Sequence, residues 1–146
     1  LLPRLKFHAD FACGRVLAQC MTERFAVLPR PAAIVPLPLH RARLRRRGYD
    51  QALELARPLA KALGLPLRGD VLHRCKATSA QSRLDADARQ HNLRGAFAVN
   101  PAAVLPAHLV LIDDVMTTGA TLHAAARALR DAGVARVDAW VCARVA

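Results

Sequence analysis

LVLIDDVMTTGAT, residues 109–121, is the stretch on which the reading of the chain turns. Four apolar residues, Leu109 to Ile112, read as the end of a buried strand that starts at His108. Two adjacent carboxylates, Asp113 and Asp114, follow at the carboxyl end of that strand, where open parallel sheets gather their ligands. Alternation along a strand predicts that the two point to opposite sides, so they are not a matched acid and base flanking one bond. Thr117, Thr118, Gly119, Ala120 and Thr121 then open a helix. Their amides and the positive helix end make a seat for an anion, Gly119 allows close approach, and the hydroxyls of Thr117, Thr118 and Thr121 add donors.

One ligand suits both halves of this stretch: a sugar whose vicinal hydroxyls meet the acids and whose phosphate, one bond beyond, meets the turn. A ribose 5-phosphate unit has that shape. Other phosphate seats fit less well. A nucleoside triphosphate loop needs GxxxxGK[ST], and no lysine follows Lys76 anywhere in the chain. The dinucleotide fingerprint GxGxxG is absent. A phosphoacceptor domain also carries paired acids after a strand but wants a lysine on a later one. Acids that merely cap a helix beside a threonine turn are the bland reading.

Outward from this stretch, strands and helices alternate. TTGATLHAAARALRDAG reads as a helix with Leu122, Ala125, Ala126 and Leu129 inward and Gly133 as its stop, and RVDAWVCARV as a closing strand. Strand, helix and strand of these lengths form a parallel crossover unit. Upstream, residues 8–28 place Phe11, Leu17, Met21, Phe25 and Leu28 near one helical face, ended by Pro29 and Pro31. AAIV at 32–35 reads as a short buried strand. Asp50 caps a second helix through Leu63, with Leu53, Ala56, Ala60 and Leu63 on one face, Pro58 as a kink or true start, and Gly64 as the stop. VLHRCK at 71–76 and GAFAV at 95–99 are strand-like and flank a long polar tract with no periodicity, a feature that in a compact domain is usually functional.

The 146 residues, 53% of them hydrophobic, fit one domain with a real core. The chain starts at Leu1 with no secretion leader, so it reads as a piece of a longer, cytoplasmic protein. The longest near-apolar run, 31–39, is broken by prolines and too short to span a bilayer. Four scattered cysteines (13, 20, 75, 142) and six scattered histidines show no metal-ligand spacing, which leaves reduced thiols and no side-chain metal cage. The net charge is +11, and the five arginines of HRARLRRRG, Arg41, Arg43, Arg45, Arg46 and Arg47, account for part of it, leaving +6 without them. A polyanion or a phosphorylated small molecule is the natural partner class, with a solvated basic face as the alternative.

The apolar run, the acid pair and TTGAT together resemble the signature of type I phosphoribosyltransferases, which use phosphoribosyl diphosphate (PRPP). More narrowly, VPLPLHRARLRRRGYDQALELA at 35–56, the spaced Gln81, Leu84, Arg89 and Asn92, GAF at 95–97 and the signature resemble the ComF family of competence-associated proteins, over roughly residues 5–145. The resemblance implies an α/β fold in which a parallel sheet is flanked by helices, with a flexible loop, matched here by 77–94, that closes over PRPP. It implies that Asp113 and Asp114 meet the ribose hydroxyls and the waters of Mg²⁺, and that residues 117–121 hold the 5-phosphate. The turn from Pro36 to His40, with Leu37 and Pro38, would face the pyrophosphate, helped by the cations Arg74 and Lys76. Family members often carry an amino-terminal cysteine cluster resembling a zinc module; the expectation here is one phosphoribosyltransferase domain over 1–146 without it.

The implied reaction passes phosphoribosyl from PRPP to a nitrogen acceptor that the sequence does not name, with release of pyrophosphate. The competing reading is a non-catalytic protein that binds PRPP and single-stranded DNA during DNA uptake. The arginine run favours it, whereas six aromatic residues are poor material for a base-stacking platform. For the run itself, polyanion binding, help with pyrophosphate and a solvated face all stay open. Arg83, Arg89 and Asn92 read as ligand contacts or as loop anchors, Trp140 reads as core, and the oligomeric state is unread.

Overall fold

Along the central strand the side chains divide strictly between two cores, and that division builds the fold. The computed structural model describes residues 2–8, 10–76 and 93–145. Three parallel strands, β1 (Ala33–Pro36), β4 (His108–Met116) and β5 (Arg136–Arg144), stand in the order β1-β4-β5. Ile34 pairs with Val110 and Leu111 with Ala139. Leu109 and Leu111 face one layer, with Val35, Leu122, Ala125 and Leu129; Val110 and Ile112 face the other, with Ile34, Leu55, Leu59 and Trp140. A run buried on both faces is the mark of a parallel strand covered by helices, and each such side chain contributes about 1.5–3 kcal/mol by leaving water.

The second of those layers is made of α1 (Leu2–His8), α2 (Phe11–Phe25) and α4 (Gln51–Leu63). Asp10 caps α2 by accepting from the Cys13 amide at 3.2 Å, and Phe25 stacks flat on Trp140, ring centres 4.8 Å apart. Asp50 caps α4 through the Leu53 amide at 3.3 Å. Pro58 sits inside α4 without ending it. Gly64 closes that helix at φ 66°, and the Arg30 guanidinium donates to the carbonyls of Leu63 and Gly64 at 2.8 and 3.0 Å. The buried face of α4 carries Ala52, Leu55, Ala56, Leu59 and Ala60, with Leu53 and Leu63 only half-buried. The helix is thus turned from the expected face, because the stripe that meets both the sheet and α2 runs through the residue pairs 55–56 and 59–60.

On the opposite face lie α5 (Ala120–Asp131) and an antiparallel ribbon of β2 (Leu72–Arg74) and β3 (Phe97–Val99). Leu122, Ala125 and Leu129 of α5 are buried and Ala126 lies at the margin. The two strand-like segments therefore pair with each other, Arg74 opposite Phe97, rather than extending the parallel sheet. The expected flexible loop falls mainly on 77–92, outside the described residues. The arginine run forms a short helix, α3 (Arg41–Arg47), opened by His40, whose Nδ1 accepts from the Ala42 amide at 3.1 Å, and closed by Gly48 at φ 81°.

Candidate functional site

Register places the parts. Pro36 at the end of β1 pairs with Ile112, and the Leu37 amide donates to the Ile112 carbonyl at 2.9 Å, so the turn 37–40 leaves the sheet beside the tip of β4. Leu37 is buried, so at this turn it offers backbone rather than side chain, and Pro38 is half-buried.

At the tip, each acid folds back on the chain. Asp113 Oδ1 accepts from the Asp114 amide and Asp114 Oδ1 from the Val115 amide, both at 2.8 Å. Asp114 is buried and also accepts from Gln51 Nε2 of α4 at 3.3 Å, while Asp113 is half-buried. Simple alternation would separate the two side chains completely. That division is kept, Asp114 meeting Gln51 of α4 on one side and Asp113 lying in electrostatic reach of Arg74 of the ribbon on the other, but the two carboxyls stay near enough to feel each other's charge. Burial, then the charge of Asp114 and the hydrogen bond with it, pushes the Asp113 carboxyl up to about 8, with Asp50 adding to the rise. Burial likewise raises Asp50, against the pull of the Leu53, Ala52 and Leu39 amides. Three carboxyls thus converge where α4 begins.

Arg74 of the ribbon lies in electrostatic reach of Asp113, and Arg43 of α3 lies in reach of Arg74. Burial pushes the Arg74 guanidinium below its usual value, Arg43 pushes it further, and Asp113 pulls it back. Arg74 also lies over the Phe97 ring, 5.3 Å from its centre. The structure therefore divides the arginine run: Arg43 and Arg47 are half-buried, with Arg43 in electrostatic reach of Arg74, while Arg41, Arg45 and Arg46 are exposed. Lys76 is engaged elsewhere, donating to the Arg94 carbonyl at 2.7 Å and so tying together the two ends of 77–92.

Beyond Met116 the chain turns through exposed Thr117 and Thr118 into Gly119, whose φ of 81° is one that a side-chain-bearing residue resists. Gly119 provides no side-chain cap for α5, and Thr118 Oγ1 accepts from the Ala120 amide at 3.3 Å. The first amides of a helix have no partner within the helix, and such a turn suits an anion. Ala120 and Thr121 are half-buried beside them. Among the described residues no group of three or more His, Cys, Asp or Glu is arranged to hold a metal directly. Two crowded carboxylates with no cage around them fit a hydrated Mg²⁺ that keeps its waters and takes further oxygens from a ligand's phosphates.

Sequence reasoning missed Gln51 and the inward place of Arg43. The signal for Gln51 was present in Asp50-Gln51, where the acid already caps the helix and the amide is left to another purpose.

The family model described as phosphoribosyl transferase domain matches residues 50–146. Competence protein F of Haemophilus influenzae is 37% identical over 99% of this chain and 66% of its own length. DNA utilization protein YhgH of Salmonella typhi is 38% identical over the same shares. The chain thus spans about two thirds of the length of these curated relatives. Among solved structures, the glutamine PRPP amidotransferase of B. subtilis superposes with a TM-score of 0.60 at 19% identity, over 90% of this chain and 26% of that one, a likeness of fold alone.

Proposed function

The chain belongs to the phosphoribosyl transferase domain family, in its ComF-type branch, and we propose that it binds PRPP with Mg²⁺ at the tip of β4 and transfers phosphoribosyl to a nitrogen acceptor in the cytoplasm. The observation that carries this reading is the continuity of the acid pair with the glycine turn that opens α5. The acids suit ribose hydroxyls, and the amides of residues 117–121 suit a 5-phosphate. The turn 37–40, with Arg74 in electrostatic reach of both Asp113 and Arg43, suits the pyrophosphate.

In this reaction the acceptor nitrogen's lone pair forms a bond to the anomeric carbon as the bond to pyrophosphate breaks, and the nitrogen's proton passes to solvent. The ring gains positive charge in the transition state, so the negative charge that the Asp113 and Asp114 pair carries at the strand tip stabilises it while the threonine turn holds the sugar still. The two arginines meet the charge gathering on the departing pyrophosphate. Bound Mg²⁺ supplies further neutralisation of that leaving group. Calorimetry of PRPP with MgCl₂ tests the binding half. A pyrophosphate-release assay with ammonia, amines and nucleobases as acceptors tests the transfer half. Absence of PRPP binding at millimolar ligand would refute both.

A second reading is favoured by two observations. Arg41, Arg45 and Arg46 are exposed on α3, and a relative is named for DNA utilization. On this reading the protein binds PRPP and single-stranded DNA without catalysis. Its DNA affinity should fall with salt, with a slope of about 0.7 for each phosphate neutralised. Charge reversal at Arg41, Arg45 and Arg46 that leaves DNA affinity unchanged would remove it.

A further inference from the structure

Gln51 is 6% exposed and Asp114 8% exposed, and these two buried polar side chains touch each other. Asp114 has both oxygens held by neutral donors: Oδ1 by the amide of Val115, its neighbour in the strand, and Oδ2 by Nε2 of Gln51, the first residue of α4. The other end of the Gln51 amide, Oε1, is buried with no hydrogen-bond partner among the described residues. An orphaned acceptor of this kind weakens a fold, and an apolar side chain of similar length would remove it. Helix formation gives no reason for the amide either, since Asp50 already caps α4 through the Leu53 amide. What the Gln51 side chain does contribute is a donor, aimed from α4 at the acid on the strand tip.

We propose that Gln51 is a positioning residue of the binding site, its Nε2 holding the Asp114 carboxylate in the one orientation that presents its charge, beside Asp113, to the phosphoribosyl ligand. This rests on the phosphoribosyl reading of the strand tip. Asp50, next in the chain, has the Leu39 amide turned toward its carboxylate. The start of α4 therefore lies against the tip of β4, through Gln51, close to the turn after β1. Without the Gln51 donor, Asp114 loses its hold on α4, and among the described residues its carboxylate is oriented only from its own strand, by the Val115 amide and its neighbour Asp113.

The test uses the whole chain and two probes, PRPP with MgCl₂ and inorganic phosphate alone. Gln51→Met should melt near the wild-type temperature, since it removes the unpartnered Oε1 but takes the donor from Asp114 Oδ2; it should bind PRPP about tenfold more weakly, as loss of a hydrogen bond to a charged group implies, and bind inorganic phosphate unchanged. Gln51→Glu, of equal length but with an acceptor where the donor was, should weaken PRPP in the same way. Either variant, folded and binding PRPP within twofold of wild type, overturns the proposal. In the unaltered protein the side-chain amide resonances of Gln51 should move when PRPP and MgCl₂ are added, and resonances that stay fixed at saturation overturn it whether or not the variants fold. Wild-type protein that binds no PRPP would instead defeat the phosphoribosyl reading, and this inference with it.

Discussion

Asp113→Asn should make the ligand-free protein more stable while weakening its grip on Mg²⁺ and PRPP. The side chain keeps its shape, and an amide oxygen can still accept from the Asp114 amide, so the substitution removes little besides charge. Burial and the neighbouring Asp114 raise the Asp113 carboxyl from 3.8 to about 8, so the folded protein holds a proton that the unfolded chain has lost. Stability therefore falls as pH rises between those two values, and the whole penalty is present above the upper one. At about 1.4 kcal/mol for each tenfold change in proton affinity, the full span would amount to about 6 kcal/mol. Asp113 is half-buried, and water beside it screens much of this, leaving about 1–3 kcal/mol. For a chain of this size that corresponds to a rise in melting temperature of about 2–10 °C. Thermal unfolding of both proteins at pH 8.5 and pH 4.5 measures it, each variant compared with wild type at the same pH so that the other carboxyls cancel. The advantage of Asn should be present at pH 8.5 and nearly gone at pH 4.5. An advantage equal at both, or a loss at pH 8.5, would show that the carboxyl is not held against its own charge.

Gly119→Ala should destabilise by about 1 kcal/mol, since φ is 81° there and an added Cβ would lie 3.4 Å from Met116 Sδ; inorganic phosphate titrated into the variant should bind more weakly than into wild type. Arg30→Ala removes two hydrogen bonds from the carboxyl end of α4 and should cost about 1 kcal/mol in denaturant unfolding, with PRPP affinity unchanged because that end points away from the site. Trp140→Ala deletes a ring that is 4% exposed and stacked on Phe25; a loss of about 3–5 kcal/mol is expected in the same measurement, and a loss below about 1 kcal/mol would mean that the ring is not core.

How far the sequence carried the fold depended on whether a signal was local. β4, α5 and β5 were legible because an unbroken apolar run, an amphipathic stretch and a second run follow one another between glycines. The pairing of β2 with β3 was not, because three-residue strands carry no alternation long enough to say which sheet they join. The face of α4 was legible only in part: Ala56 and Ala60 of the expected stripe are buried, whereas Leu53 and Leu63 lie at its margins and Leu55 and Leu59 complete the stripe, because the position of α2 sets which way the helix turns. α3 was missed because its polar face runs all round and its signals are two caps, His40 and Gly48. The acid pair and glycine turn were legible as chemistry, whereas the partners of those acids arrive from far along the chain: Gln51 lies 63 residues from Asp114.

The same long-range contacts explain why the strand tip is crowded with charge that the ligand-free fold would be better off without. Asp50, Asp113 and Asp114 repel one another, Arg43 and Arg74 do the same across from them, and Gln51 keeps a buried oxygen unpartnered. Each choice opposes stability, and they fall together at one end of the central strand while its other residues are packed without a polar atom out of place. A ligand carrying a cation to the acids and phosphate to the arginines relieves both repulsions at once. On the proposed reading, relief of these repulsions is part of the free energy that binding would release. It follows that saturating Mg²⁺ and PRPP should raise the melting temperature of wild type by more than of Asp113→Asn, since the variant has less repulsion left to relieve. Equal shifts in the two would mean that the crowding at the strand tip has no part in binding.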